Sequence, residues 1–473
     1  MEKFEPEKKA RKVMDGCADC DVCRFLMDAD CLVFPELYRL YDKEVETGEK
    51  ITSVELRNLV DLCNFCALCP CPPVRANIIE AKTRFIDRDG LKLGVRTLED
   101  IERVAKLCGT YPRLTNRLLG SQAAGNLFKK AAGIHKERNI PEFPEQSFPQ
   151  WAQKHSLNTR TKNQKLRKVA YFAGCTANYL FPEVPRAAVD VLRINGFEVF
   201  YPEQKCCGMP SLLEGDRQLT LEFVRTNVDR LAEAAESGYD IVCSCPTCGF
   251  MLRNILKEGA YYSTEYQESV SNDPAYLQVP LAKATDNPGN KRFKLIKKSI
   301  FGNLFKDDGY FSSINPLKRI MVAENTFDLG EYLANLHISG ELKTSFAKVS
   351  GRMVYYPPCH LREQNIGRPY QQLLNLLPGI DLEPIDGALD CCGMAGIMGF
   401  KKEFHESSIH LGKRLMEKIK QVNPERLVTD CLSCRLQFRQ LLPYKVIHPI
   451  ELLKESYANH RTWGRNIILS TDA

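Results

Sequence analysis

Twenty cysteines stand among 473 residues, and their spacing divides the chain. Eight lie between Cys17 and Cys71, six between Cys175 and Cys248 and five between Cys359 and Cys434, with Cys108 apart. Cys17, Cys20 and Cys23 form one run with two residues between neighbours, and Cys63, Cys66 and Cys69 form another. Three thiolates on so short a loop can wrap one corner of a four-iron cubane cluster. Structural zinc, the alternative for such thiols, takes two pairs of ligands rather than two triplets with outliers.

In two-cluster ferredoxins the fourth thiolate of each run crosses to the other cluster. That rule predicts Cys17, Cys20, Cys23 and Cys71 around one cubane, and Cys63, Cys66, Cys69 and Cys31 around the other. The fourth positions depart from the usual spacing. Cys31 follows Cys23 after seven residues, whereas Cys71 follows Cys69 after one and precedes Pro72. The triplets are therefore defined by spacing, and the assignment of Cys31 and Cys71 stays open.

The second and third groups repeat one pattern: Cys175, Cys206 and Cys245 recur at Cys359, Cys391 and Cys431, offsets of 184, 185 and 186 residues. Each copy holds a lone cysteine, adjacent cysteines before a glycine, and a Cys-x2-Cys pair. These are Cys175, Cys206, Cys207, Cys245 and Cys248 in the first, and Cys359, Cys391, Cys392, Cys431 and Cys434 in the second. A tetrahedral zinc needs four ligands, whereas a larger cluster can use a fifth thiolate as a bridge. Gly208 and Gly393 let the backbone turn tightly beside the sulfurs, and the helix starts behind them offer N–H groups to a negative cluster. His360, next to Cys359, is the candidate catalytic residue: it either relays a proton or hydrogen-bonds a sulfur or the backbone. Asp430 reads as an orienting group or a loop cap, and Cys243 and Cys108 as small buried residues.

These cysteines must be carried at strand ends. An apolar run from Val169 to Ala173 delivers Cys175, a helical pattern runs from Pro185 to Gly196, and a second strand covers Phe197 to Tyr201. A helix from about Arg217 to Ala235 and a strand from Asp240 to Val242 lead to Cys245. The second copy repeats the pattern with strands at Val354 to Tyr356 and Leu427 to Val428, and helices at Tyr370 to Leu377 and Lys413 to Lys420. Alternating strands and helices predict parallel sheets with the cysteines at their carboxyl edges. Thr52 and Glu55 form a capping box for a helix running into Cys63. The expected fold class is α+β multidomain. A helical ferredoxin-type domain over 1–105 and a helical linker over 106–165 lead to Cys-Cys-Gly modules at 166–256 and 351–456. An insertion or linker over 257–350, rich in Ser, Asn, Asp, Pro and Gly from about Lys257 to Lys318, separates the modules, and 457–473 forms a tail.

The segments Ala173-Gly-Cys175, Cys206-Cys-Gly208-Met-Pro210, Pro358-Cys-His360, Cys391-Cys-Gly393-Met-Ala-Gly396 and Thr429-Asp-Cys431-Leu-Ser-Cys434 resemble the Cys-Cys-Gly-domain iron-sulfur family, typified by the B and D subunits of heterodisulfide reductase. Gly399-Phe-Lys-Lys-Glu403 and His448-Pro-Ile450 resemble its flavoenzyme-linked branch, the C subunit of anaerobic glycerol-3-phosphate dehydrogenase and the glycolate and lactate oxidase iron-sulfur subunits. The resemblance implies noncubane four-iron clusters at the two five-cysteine sites. It further implies two acceptors: a quinone, reached from a flavoprotein partner, or a disulfide cleaved between the clusters.

No Gly-x-Gly-x-x-Gly strand-turn-helix signature or phosphate loop is present, so neither flavin nor NAD is expected in this chain, and electrons must come from a partner. The formal charge of +6 partly offsets the negative charge of four thiolate-held clusters, and nucleic acid is not expected as a partner. The charged first residues and the lack of a long apolar run point to the cytoplasm, with peripheral contact to the inner face of the cell membrane. Two basic amphipathic stretches, Arg113 to Lys136 and Lys291 to Lys306, suit such a surface or a docking partner. The second sets Phe293, Ile296, Ile300 and Leu304 at helical spacing; a solvated basic face is the alternative.

Overall fold

The computed structural model describes residues 5–18, 20–26, 30–66, 68–69, 71–160, 166–270, 273–281, 293–385 and 389–458. Lys291, Arg292 and the expected tail beyond 458 lie outside the described residues. Ten strands are present among them: β1 (Arg167–Phe172), β2 (Phe197–Phe200), β3 (Asp240–Cys243), β4 (Tyr276–Pro280), β5 (Phe293–Lys297), β6 (Thr326–Asp328), β7 (Gly351–Tyr356), β8 (Ile380–Pro384), β9 (Arg426–Thr429) and β10 (Lys445–Ile447).

The two modules share one topology. The first is a four-stranded parallel sheet of order β2-β1-β3-β6, and the second has the equivalent order β8-β7-β9-β10. Val169 lies opposite Val199 and Asp240, as Met353 lies opposite Leu382 and Arg426. The central strands are apolar along their buried lengths because helices cover both faces, as parallel sheets require. Helices Glu183–Ile194 and Arg217–Glu236 in the first module correspond to Pro369–Leu374 and His405–Val422 in the second. One apolar core runs through both modules, joining Tyr171 and Val242 to Tyr355 and Val428 through Leu333, Tyr370 and Ile450. The fold is α+β, as expected.

Strands β6, β8 and β10 were not expected. Each is only three to five residues long, and β8 alternates partly buried with exposed positions at a sheet edge. Strand β6 and helix Leu329–Ile338 fall within the expected insertion yet complete the first sheet and the shared core. The expected basic helix over Lys291 to Lys306 is corrected. Phe293 to Lys297 is strand β5, paired antiparallel with β4, and only Lys298–Phe301 is helical. Buried Ile296 faces buried Leu277 across this hairpin. That cross-strand partner overrides the local helical spacing.

The N-terminal region is helical. Pro6–Asp15, Val33–Thr47, Ser53–Asp61 and Pro72–Asp89 pack around Leu37, Leu40, Leu59, Val60 and Phe85. The capping box forms: Thr52 Oγ1 accepts from Glu55 N at 3.2 Å and Thr52 N donates to Glu55 Oε2 at 2.9 Å. That fixes the helix that ends before Cys63. The segment between this region and the first module carries helices Pro112–Gly120, Gln122–Ala131 and Phe148–Lys154. It is a strap rather than a free tether. Phe148 and Trp151 enter the shared core, and Arg138 is buried in the second module.

Candidate iron-sulfur centres

The carboxyl ends of β1, β2 and β3 bring the first five thiols together at the point where the sheet order reverses, the place where open parallel sheets form a crevice. Cys175 Sγ lies 3.2 Å from Cys206 Sγ. Cys207 is within hydrogen-bonding reach of Cys206 and Cys248, and Cys245 of Cys248. Gly208 turns this loop at φ 89°. Cys243 is a sixth thiol: fully buried, it donates to Cys245 O at 3.3 Å and reaches Cys248. Cys108 is partly exposed at the end of a helix rather than buried.

The second module repeats the arrangement at the ends of β7 and β9. Cys392 is within reach of Cys391 and Cys434, and Cys391 Sγ accepts from Gly393 N at 3.3 Å. Gly393 holds φ 84°, and a Cβ there would lie 2.0 Å from Ser408 O. Only glycine fits. The sites meet through equivalent positions, since Cys245 and Cys431 are within hydrogen-bonding reach of each other. Behind them Tyr171 pairs with Ser244 at 2.7 Å and Tyr355 with Asp430 at 3.0 Å, again equivalent positions. Asp430 thus accepts from a buried tyrosine. Cysteines of both modules, together with Cys66, line one cavity.

In the N-terminal region the cysteines fall into two neighbouring groups. Cys17 lies close enough to Cys23, Cys71 and Cys20 for their charges to interact, and burial followed by these neighbours pushes its thiol up to about 11. Cys66 and Cys69 each interact with Cys31 and Cys63, and burial drives both thiols upward, Cys69 to about 12. Tyr38 braces the first loop, donating to Cys17 O and Cys20 O at 3.1 and 2.9 Å. Two contacts link the groups onward. Cys23 interacts with Cys31 and Cys69, and Cys66 interacts with Cys359 and Cys391. Asn64 Nδ2 points at Cys391 Sγ from 3.8 Å. Buried Lys82, which sequence reasoning missed, donates to Leu213 O at 2.9 Å and Cys63 O at 3.4 Å, tying this loop to the first module.

His360 joins three parts of the chain. Its Nε2 lies 3.0 Å from Phe65 O and its Nδ1 lies 3.0 Å from Thr247 Oγ1. Because a carbonyl only accepts, Nε2 carries the proton and Nδ1 accepts from the threonine hydroxyl. Burial holds the imidazole below its usual range, in the neutral form this pairing needs. Phe65 adopts φ 52°, in the left-handed region, while its ring packs 6.3 Å from Phe250. With both nitrogens engaged, His360 fits the holding role rather than the relay.

The residues fit the implied clusters on the chemistry of their donors. The first module buries five thiols and the second buries four, with Cys359 partly exposed beside them in the same cavity, among apolar side chains. Mutual hydrogen bonding brings Cys207 down to about 6 and Cys392 well below an ordinary thiol, while Cys206, Cys391 and Cys434 are driven up. Thiols so crowded cannot all ionise without a soft, multiply charged metal centre to bind them.

Residues 169–253 and 353–439 each match the cysteine-rich domain CCG. The chain is 25% identical over 350 residues to the C subunit of the anaerobic glycerol-3-phosphate dehydrogenase of Escherichia coli (strain K12), covering 74% of this chain and 73% of that protein. It is 27% identical over 301 residues to the B subunit of the fumarate reductase (CoM/CoB) of Methanothermobacter marburgensis, covering 62% of this chain and 47% of that protein. Similarity to lactate utilization protein A of Exiguobacterium is 25% over 294 residues, covering 61% of this chain and 97% of that protein. Two copies of the cysteine-rich domain CCG, these relatives and the gathered thiols agree on an iron-sulfur, electron-transfer role for the chain.

Proposed function

We propose that this chain is the iron-sulfur subunit of an anaerobic flavin-linked dehydrogenase complex, passing electrons from a flavoprotein partner to a quinone. The observation that carries this reading is the unbroken succession of thiol groups. Cys17, Cys20, Cys23 and Cys71 adjoin Cys31, Cys63, Cys66 and Cys69, which adjoin the second module through Cys359 and Cys391; that module meets the first through Cys431 and Cys245. On this reading residues 1–105 hold two cubane four-iron clusters and the modules at 166–256 and 351–456 each hold a noncubane one. Such clusters accept and release single electrons at potentials set by charge, hydrogen bonding and burial. The named dehydrogenase and reductase subunits among the relatives support a partner of this kind.

Anaerobic affinity purification tests the proposal. The expected result is a stoichiometric flavoprotein and about sixteen irons per chain, four for each site. Zinc alone, or about eight irons in a preparation competent in electron transfer, would sink it. A disulfide acceptor is the second reading, favoured by the completeness of both five-cysteine sites. Cluster oxidation by a disulfide without any flavoprotein would establish that reading instead.

Among the described residues no helix is long and apolar enough to cross a membrane. We assign peripheral membrane contact to the strap: Leu107, Tyr111, Leu114, Leu118 and Leu127 are all more than half exposed beside Arg113, Arg117, Lys129 and Lys130. An exposed apolar and basic surface of this kind suits an anionic bilayer. Replacing Leu114 and Leu118 with serine should release the protein from anionic vesicles in a flotation assay, and unchanged flotation would remove this face from the interaction.

A further inference from the structure

A second cavity, of about 110 Å³, opens beside the thiol sites. Ile101, Val104, Phe128, Ile140, Leu180 and Leu436 give it an apolar wall. It reaches Cys175 at the carboxyl end of β1, in the module that ends the thiol succession, and Ser433 between Cys431 and Cys434. Space of this size holds on the order of seven to ten waters, comparable with a small ring system. Neither lysine nor arginine lines it, so a polyanionic disulfide would find no counter-charge there.

Glu99 lines the same cavity at 1% exposure, and neither carboxylate oxygen accepts a hydrogen bond. The Asp216 carboxylate is close enough to interact with it, and two carboxylates so placed share the space only if one keeps a proton. Burial first, then Asp216 and Glu214, push Glu99 up to about 9, against the opposing pull of Arg96. Asp216 is only partly buried and caps helix Arg217–Glu236 by accepting from Leu219 N at 2.9 Å. It therefore connects Glu99 to solvent.

Resting on the electron-transfer reading above, we propose that this cavity binds the final acceptor, a small-ring quinone, and that Glu99 is its proton donor. Reduction to the hydroquinone takes two electrons and two protons. Each carbonyl C=O becomes a C–OH; the electrons arrive singly along the thiol-held sites from the flavoprotein partner, which is oxidised. Glu99 gives one proton to a quinone oxygen, regains a proton from solvent through Asp216 and gives the second. An apolar wall favours the ring, and a carboxylic acid kept neutral by burial is the donor that such a wall permits.

The test uses the full-length protein isolated with its clusters, reduced with dithionite and mixed with a short-chain naphthoquinone, while a non-reducible naphthoquinone analogue measures binding. Val104→Trp fills the cavity from one wall and Phe128→Trp from another; both positions are half-buried, and iron content reports folding. Each should weaken analogue binding about tenfold or more, or about 1.4 kcal/mol. Glu99→Gln should leave binding within about threefold but slow hydroquinone formation about a hundredfold. It should also remove the decline in rate that the wild type shows above pH about 9, where Glu99 ionises. Wild-type binding and rates in both filled variants, with full iron content, would overturn the cavity and leave the functional reading intact. Failure of the wild type to reduce any quinone while reducing a disulfide would instead overturn the reading on which the cavity rests.

Discussion

Cys391→Ser is expected to abolish quinone reduction while leaving the N-terminal centres able to take electrons from the donor. Cys391 occupies the junction between the helical region and the paired modules. Its thiol accepts from Gly393 N at 3.3 Å, faces Asn64 at 3.8 Å and interacts electrostatically with Cys66. Serine keeps the size and loses the soft sulfur donor that iron-sulfide chemistry requires. Tyr38 braces the carbonyls of Cys17 and Cys20, Cys23 lies in helix Asp21–Leu26, and Cys17 interacts with Cys20, Cys23 and Cys71 rather than with Cys391. Spectroscopic titration with the physiological donor should therefore show cubane reduction without acceptor turnover. Normal turnover by this variant would take the Cys-Cys-Gly pair out of the pathway.

The grouping of the cysteines was legible because cysteine spacing is a local signal with few chemical meanings. Strands β1, β2, β3, β7 and β9 were legible for a related reason: each is a short apolar run next to a helix whose period and end signals are clear. Strands β6 and β10 carry three residues each, too few to establish a period, and they are strands only because β3 and β9 offer a free edge. Strand β5 shows the opposite failure. Phe293, Ile296, Ile300 and Leu304 satisfy a helical spacing, but the segment's fate is set by β4, which precedes it by more than ten residues. Local pattern cannot register such a partner.

Single charged residues in the site were illegible for a different reason. Glu99, Lys82 and Arg138 stand in ordinary polar stretches, and nothing in their neighbours marks them as buried. Their roles come from surfaces that meet only in the folded chain: Glu99 beside Asp216, Lys82 beneath Leu213 and Arg138 inside the second module. His360 was conspicuous because it follows Cys359. Its partners Phe65 and Thr247, 295 and 113 residues away, decide what it does.

Arg138→Met is the second variant with a large expected effect. Arg138 is 1% exposed and donates to His405 Nδ1 at 3.0 Å, Ser408 Oγ at 2.8 Å and Gln437 Oε1 at 2.5 Å. Ser408 passes the connection on, donating to Gly393 O at 2.7 Å. The guanidinium thus holds the Cys-Cys-Gly turn of the second module from beneath. No carboxylate pairs with it among the described residues. Burial brings it down to about 10, and the negative charge that opposes this is Cys392. Removing one member of so dry an arrangement leaves buried neutral acceptors unpaired, a loss of about 1–3 kcal/mol for each group left without a partner. Urea unfolding followed by circular dichroism should show it. The charge has a separate consequence: a reduced cluster carries one more negative charge than an oxidised one, so a buried cation nearby favours reduction. The midpoint potential of the second module's centre should fall in Arg138→Met. Arg138→Lys should recover much of the potential but little of the stability, because an ammonium keeps the charge and cannot span the three acceptors in one plane. Equal potentials in the wild type and Arg138→Met would show that the residue acts on packing alone.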